Sequence, residues 1–143
     1  LGNVQAVLCR NGKGFCLTKE HTTRNTNERR RILQNGAVIS SNEPYGLVEG
    51  QVKTTRGLGF HGNLKLKKSI IPAPQTISVP IDDLCQFLIV ATNGLWEVLD
   101  KEEVDVATNE KESDTKSFYE GAAEYVSHEL VNAALLAGSR DNI

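Results

Sequence analysis

The sequence predicts an α+β fold, with mainly antiparallel sheets flanked by helices. Three observations carry that prediction: a hairpin signal at Asn11-Gly12, a continuous apolar run at 87–91, and helical spacing of apolar residues over 117–137. Strands joined by hairpins, without strict strand–helix–strand alternation, favour antiparallel over parallel sheets. At 143 residues the chain suits one domain large enough to bury a core.

In chain order, Val4, Val7 and Leu8 read as part of a strand ending at Arg10-Asn11-Gly12-Lys13. Asn and Gly both tolerate the positive φ of a tight two-residue turn, so 13–18 should return as the partner strand. A polar stretch at 21–27 leads into Glu28-Arg29-Arg30-Arg31-Ile32-Leu33. With Asn25 or Thr26 as the cap and Gly36 at the position after the helix end, a short helix is predicted at 27–35. Residues 36–75 are rich in Gly, Ser, Asn and Pro, with short apolar pieces at 37–39, 46–48 and 70–71. They should form loop with brief strands. Thr76-Ile77-Ser78-Val79 alternates like a half-buried strand, and 87–91 reads as a buried strand bounded by Thr92-Asn93-Gly94. A helix is expected at about 101–107, with acidic residues in its first turn as the helix dipole prefers. Residues 108–116 are charged and nearly free of apolar side chains, a surface loop. Over 117–137, positions 118, 119, 122, 123, 126, 130, 131, 134 and 135 keep helical spacing.

A hydrophobic fraction of 39% with 24% charged residues is ordinary globular composition and argues against a disordered chain. The formal charge of −2 and a pI near 5.9 argue against nucleic acid as a partner. The three arginines at 29–31 therefore read as a solvated helix face. No apolar run approaches the ~18 residues of a membrane-spanning helix, so no membrane partner is expected. Cys9, Cys16 and Cys85 are odd in number and lack Cys-x-x-Cys spacing. They read as reduced thiols, which points to an intracellular protein, cytoplasmic or nuclear. The chain contains no Met and stops just after Ser139-Arg140-Asp141-Asn142, so 1–143 are expected to be an incomplete piece of a longer chain.

Four segments, in this order, resemble the metal-dependent protein phosphatases of type 2C. They are Gly2-Asn3-Val4-Gln5 running to Lys13, with Leu17-Thr18-Lys19-Glu20-His21 after it; Glu28-Arg29-Arg30-Arg31-Ile32 leading to Gly36; Thr55-Arg56-Gly57-Leu58-Gly59 with Leu64-Lys65; and 87–99, closed by Ser139-Arg140-Asp141-Asn142. The resemblance implies a two-sheet β-sandwich flanked by helices, with 1–143 a partial domain lacking its N-terminal part and last strand or strands. It also implies a site where carboxylates hold Mn²⁺ or Mg²⁺ and a metal-bridging water attacks a phosphoserine or phosphothreonine. Hard divalent cations want oxygen ligands, and their charge lowers the pKa of bound water.

The departures fall on the metal carboxylates that the resemblance implies. Where the family has Gly-Asp-Ser-Arg this chain has Gly2-Asn3-Val4-Gln5, so an outer-metal Asp is replaced by Asn3. Where the family has Asp-Gly after its buried strand, the residue is Asn93. An amide offers one neutral oxygen and cannot bridge two cations as a carboxylate does. The family's Trp-Asp becomes Trp96-Glu97, leaving Glu97 as a weak ligand, and its Leu-Gly-Asp becomes Leu58-Gly59-Phe60. Asp141, in an unchanged Ser-Arg-Asp-Asn, is the retained metal-ligand candidate. The family's Asp-Gly-His-Gly pattern does not occur.

Other residues have plainer readings. Asn93 before Gly94 suits a tight turn, Glu97 suits a helix start, Asp141 suits a turn, and Trp96 suits packing. The resemblance gives His21 a hydrogen-bonded structural role; His61 lies in a loop, and His128 falls on the polar side of the long helix. The expected function is thus a phosphatase 2C-like domain, catalytically weak or inactive, acting by binding a phosphoprotein or other protein partner. The alternative is an active Mn- or Mg-dependent protein serine/threonine phosphatase.

Overall fold

Asn11 and Gly12 take φ values of 51° and 69°, the paired positive dihedrals of a tight hairpin turn. The turn joins β1 (Gln5–Arg10) to β2 (Lys13–Cys16), with Leu8 opposite Phe15 and Arg10 opposite Lys13. In this computed structural model, which describes residues 1–41, 45–99 and 116–143, β1 also pairs antiparallel with β3 (Cys85–Ala91). The sheet order is β2-β1-β3. A register shift between Cys9 and Arg10 sets Gln86 opposite the turn. There its Oε1 accepts from the Gly12 N–H at 2.7 Å and from the Cys9 thiol at 3.4 Å.

The chain divides into two compact units, Leu1–Val4 with Thr18–Ser78, and Gln5–Leu17 with Val79–Ile143. The second unit contains the sheet, a helical turn α3 (Asn93–Trp96) and the long helix α4 (Lys116–Leu136), in agreement with the helix expected over 117–137. Leu95, Leu130 and Ala134 form its buried cluster, with Ile89, Ala91, Val126 and Ile143 packed against them. β3 is not buried on both sides as its apolar run suggests. Its exposure alternates, and Leu88 and Val90 are 55% and 62% exposed on the face opposite Ile89. A continuous apolar run cannot by itself report which face is covered.

In the first unit, helix α1 (Thr26–Gln34) forms one residue earlier than the 27–35 that the sequence predicts. Asn25 is the cap, its Oδ1 accepting from Asn27 N–H at 3.0 Å, and Gly36 follows the helix end at φ 78°. A second helix, α2 (Leu64–Ser69), lies inside the stretch expected to be loop. Asn63 caps it by accepting from Leu66 N–H at 3.1 Å. Its single buried apolar side chain, Leu66, joins Ile32, Ala37, Val48 and Ile70 in one cluster. One inward residue per short helix is too sparse a pattern to register as periodicity.

The strand expected at 76–79 does not form, and Ile77 is 61% exposed. Pro72, Pro74 and Pro80 bracket this segment and withhold backbone donors, so alternation alone does not create a ladder. The helix expected at 101–107 and the loop at 108–115 lie outside the described residues.

Candidate functional site

The end of β3 sets the site. After Ala91, Thr92 takes extended dihedrals (φ −75°, ψ 170°) and the chain enters α3, with Glu97 as its C-cap. Asn93 therefore sits in a helical turn, not in the left-handed turn its Asn-Gly sequence suggests. Asn93 and Glu97 are four residues apart on one helical face, where side chains meet. The Asn93 Nδ2 donates to Glu97 Oε1 at 3.3 Å and to Asp141 Oδ2 at 2.8 Å. Glu97 thus ends a helical turn, and the helix start expected after it lies outside the described residues.

Asp141 arrives from the far end of α4. Ser139 Oγ donates to the Gly94 carbonyl at 2.7 Å, and Thr92 Oγ1 donates to the Asn142 carbonyl at 2.7 Å. Asp141 Oδ1 accepts from Asn142 N–H at 2.9 Å. Trp96 packs against the cluster around Leu95 and donates through Nε1 to the Ala91 carbonyl at 3.0 Å. Asn93, Glu97 and Asp141 are thereby brought together within the second unit. Asn3 belongs to the first, where its Oδ1 is buried without a hydrogen-bond partner.

The chemistry of this donor set is one-sided. Both carboxylates only accept, what faces them from Asn93 is N–H, and the amide adds no negative charge to a set that a pair of divalent cations would need. Among the described residues, no group of three or more His, Cys, Asp or Glu side chains is placed to hold a metal ion. Phe60, at the position where the resemblance expects an Asp, adopts a positive φ of 61° and packs against the Ile32–Leu66 cluster.

A second polar cluster lies in the first unit, and the sequence did not reveal it. Glu28, 4% exposed, accepts from Arg56 Nη2 at 2.6 Å, Arg56 Nε at 2.9 Å, Arg31 Nη2 at 3.0 Å and Thr55 Oγ1 at 2.8 Å. Burial pushes this carboxyl up, but the hydrogen bonds from Arg56, Thr55 and Arg31 outweigh it and hold the pKa at about 2. Arg31 also donates to the Ser69 and Thr55 carbonyls at 2.8 Å each. The arginine run is therefore not uniformly a solvated face: one helical turn past the cap, Arg31 points inward while Arg30 is exposed. The three-residue spacing of Glu28 and Arg31 was the available signal; Arg56 is remote in sequence.

His21 differs from expectation. It is 4% exposed, and neither ring nitrogen has a hydrogen-bond partner. Burial first, then the Arg56 charge, lower its pKa against the pull of Glu28 and of the Gln75 side chain, which lies near the ring without hydrogen-bond geometry. His128 is exposed, as expected, and His61 occupies a turn. No disulfide links Cys9, Cys16 or Cys85.

The family model for protein phosphatase 2C matches residues 1–143. The chain belongs to this family. The human protein phosphatase 2C-like domain-containing protein 1 is 57% identical, over 99% of this chain and 40% of that protein. Among solved structures, a C. elegans sex determining protein superposes with a TM-score of 0.77 at 23% identity, over 99% of this chain and 33% of its own. A phosphatase from Toxoplasma gondii gives 0.69 at 22% identity, over 99% and 44%. This protein phosphatase 2C chain thus spans well under half the length of these relatives. The α+β architecture with an antiparallel sheet agrees with the fold of the solved relatives. Beside the three-stranded sheet, the described residues form only isolated bridges such as Thr22–Thr54 and Ile39–Val48. No helix among them is long and apolar enough to cross a membrane.

Proposed function

We propose that this chain is a phosphatase 2C-like domain that acts by binding a protein partner, with little or no phosphatase turnover. Asn3, Asn93, Glu97 and Asp141 are its degenerate or residual metal positions, and the family's Mn²⁺ or Mg²⁺ is held weakly or not at all. A phosphoprotein or another intracellular protein is its partner. The observation that carries this reading is the Asn93 amide nitrogen, 2.8 Å from Asp141 Oδ2, directed also at Glu97. An amide at this position supplies no negative charge and at most one neutral oxygen, so it cannot bridge two cations as a carboxylate does, and the set fits a divalent pair poorly.

The second reading, an active metal-dependent serine/threonine phosphatase, draws support from Asp141 in an unchanged Ser-Arg-Asp-Asn and from the family match. The two separate in one assay: hydrolysis of a phosphothreonine peptide by the full-length protein at millimolar Mn²⁺, with Asp141→Ala beside it. The proposal expects no metal-dependent turnover from a folded sample. Turnover that requires Mn²⁺ and disappears in Asp141→Ala would establish the enzyme instead.

A further inference from the structure

We infer that the Asn93 amide is a cation-free tie, closing the C-terminal residues 139–143 onto the turn after β3 by bridging Glu97 and Asp141. The inference deepens the reading of Asn93 above and rests on it. Two carboxylates converging on one point repel unless something positive lies between them. In this chain the positive end of an amide dipole lies there, with two N–H bonds for two acceptors, at 2.8 and 3.3 Å. With no cation between the groups the orientation of the amide is fixed: turned over, its oxygen would face two acceptor-only carboxylates, lone pair against lone pair.

Three further features make this a closure of segments and not a chance contact. Thr92 and Ser139 each donate across the same junction, to Asn142 and Gly94, at 2.7 Å. Gly94 is buried directly beneath Asn142, where a side chain would not fit. Ile143 packs against the Leu95–Leu130–Ala134 cluster. Asn93, Thr92 and Ser139 thus each donate across the junction that anchors residues 139–143, and all three donors are neutral. Replacing the one amide by a carboxylate removes its two donors and brings a third negative charge to the same point. The junction then opens, or it recruits a cation.

The test uses the full-length protein as wild type, Asn93→Asp and Asn93→Ala. Thermal melts and hydrogen exchange of 139–143 are measured in chelator and again with millimolar MnCl₂. The wild-type melting temperature should be unchanged by Mn²⁺. Asn93→Asp should melt lower in chelator, with protection of 139–143 reduced about tenfold, as expected for losing one charge-assisted hydrogen bond. Both should recover with Mn²⁺; folding only in the presence of Mn²⁺ counts as the same result. Asn93→Ala should lose the protection and not regain it, because it removes the donors without adding a ligand. Unchanged protection in both variants would show that Asn93 ties nothing and overturn the inference, while a wild type without turnover would leave the proposed function standing. A wild-type melting temperature that Mn²⁺ raises, and Asp141→Ala makes insensitive, would overturn it in the other direction, whether or not any turnover accompanies it.

Discussion

Arg56 grips Glu28 with both arms of its guanidinium edge, Nη2 on Oε1 at 2.6 Å and Nε on Oε2 at 2.9 Å. The two residues are separated by most of the first unit's loop, so this fork fixes the approach of that loop to helix α1. Arg31 and Thr55 donate to Oε2 of the same carboxylate, beside Arg56 Nε. A buried ion pair is stabilising when its geometry is bidentate and its remaining polar atoms have partners; the Arg56 fork meets the first condition, while the buried Arg31 Nε has no hydrogen-bond partner.

Glu28→Gln should therefore cost about 2 kcal/mol, because it leaves two half-buried guanidinium groups short of a counter-charge. Urea unfolding of the two proteins at neutral pH measures it through the shift in midpoint. A difference under about 0.5 kcal/mol would mean that the pair contributes nothing beyond its desolvation.

The same carboxyl dictates an acid limb. Its folded pKa of about 2 lies below the ordinary 4.5, so its stabilisation is complete above the ordinary value. It is lost as the pH falls from there through about 2. Wild type should lose stability across that window, and Glu28→Gln should follow a flatter curve, read by denaturant midpoints at successive pH values.

His21 acts at milder pH. Its folded pKa is lowered from 6.5, so the unfolded chain takes up a proton first as the pH falls below that value. The folded state, holding a buried neutral ring beside Arg56, loses ground progressively until the folded ring titrates too. His21→Phe removes the titration, so the gap between variant and wild type should change in the variant's favour between pH 7 and 5. Parallel curves over that range would show that His21 titrates equally in both states.

Much of this was legible from local chemistry. Asn11-Gly12 specified its hairpin because few residue pairs tolerate that turn, and Asn25 specified the start of α1 because an unpaired N–H needs a short acceptor. The long helix followed from spacing alone. Helix α2 was not visible, since one inward Leu66 carries no period, and 76–79 misled because alternation does not reveal whether a partner strand exists. At the site, Asn93, Glu97 and Asp141 were found through the resemblance, but the hydrogen bond from Asn93 to Asp141 joins positions 48 apart in sequence. Glu28 with Arg56 and the two unpartnered nitrogens of His21 were missed for the same reason: each depends on what the tertiary fold sets beside it.

Capping predicts a smaller and separable effect. Asn25 accepts from Asn27 and Glu28 N–H, at 3.0 and 3.5 Å, and its own Nδ2 donates to the Glu20 carbonyl at 3.0 Å. Asn25→Ala should cost about 1 kcal/mol, without altering the acid limb set by Glu28. A loss of the acid limb as well would mean that the cap and the ion pair are one cooperative unit.

Two glycines separate backbone conformation from close approach. A Cβ at Gly94 would be driven into the Asn142 carbonyl oxygen and sit 2.9 Å from its carbon, although Gly94 has no unusual φ. Gly36 is the converse, at φ 78° with nothing within 4 Å. Gly36→Ala should therefore cost about 1 kcal/mol, from the strained dihedral alone, and leave the second unit untouched. Gly94→Ala should cost more, about 1–3 kcal/mol, because only displacement of a backbone carbonyl relieves the overlap. It should also raise hydrogen exchange at 139–143, which Gly36→Ala should not. Equal exchange at 139–143 in the two variants would mean that the C-terminal segment does not rest on Gly94 in solution.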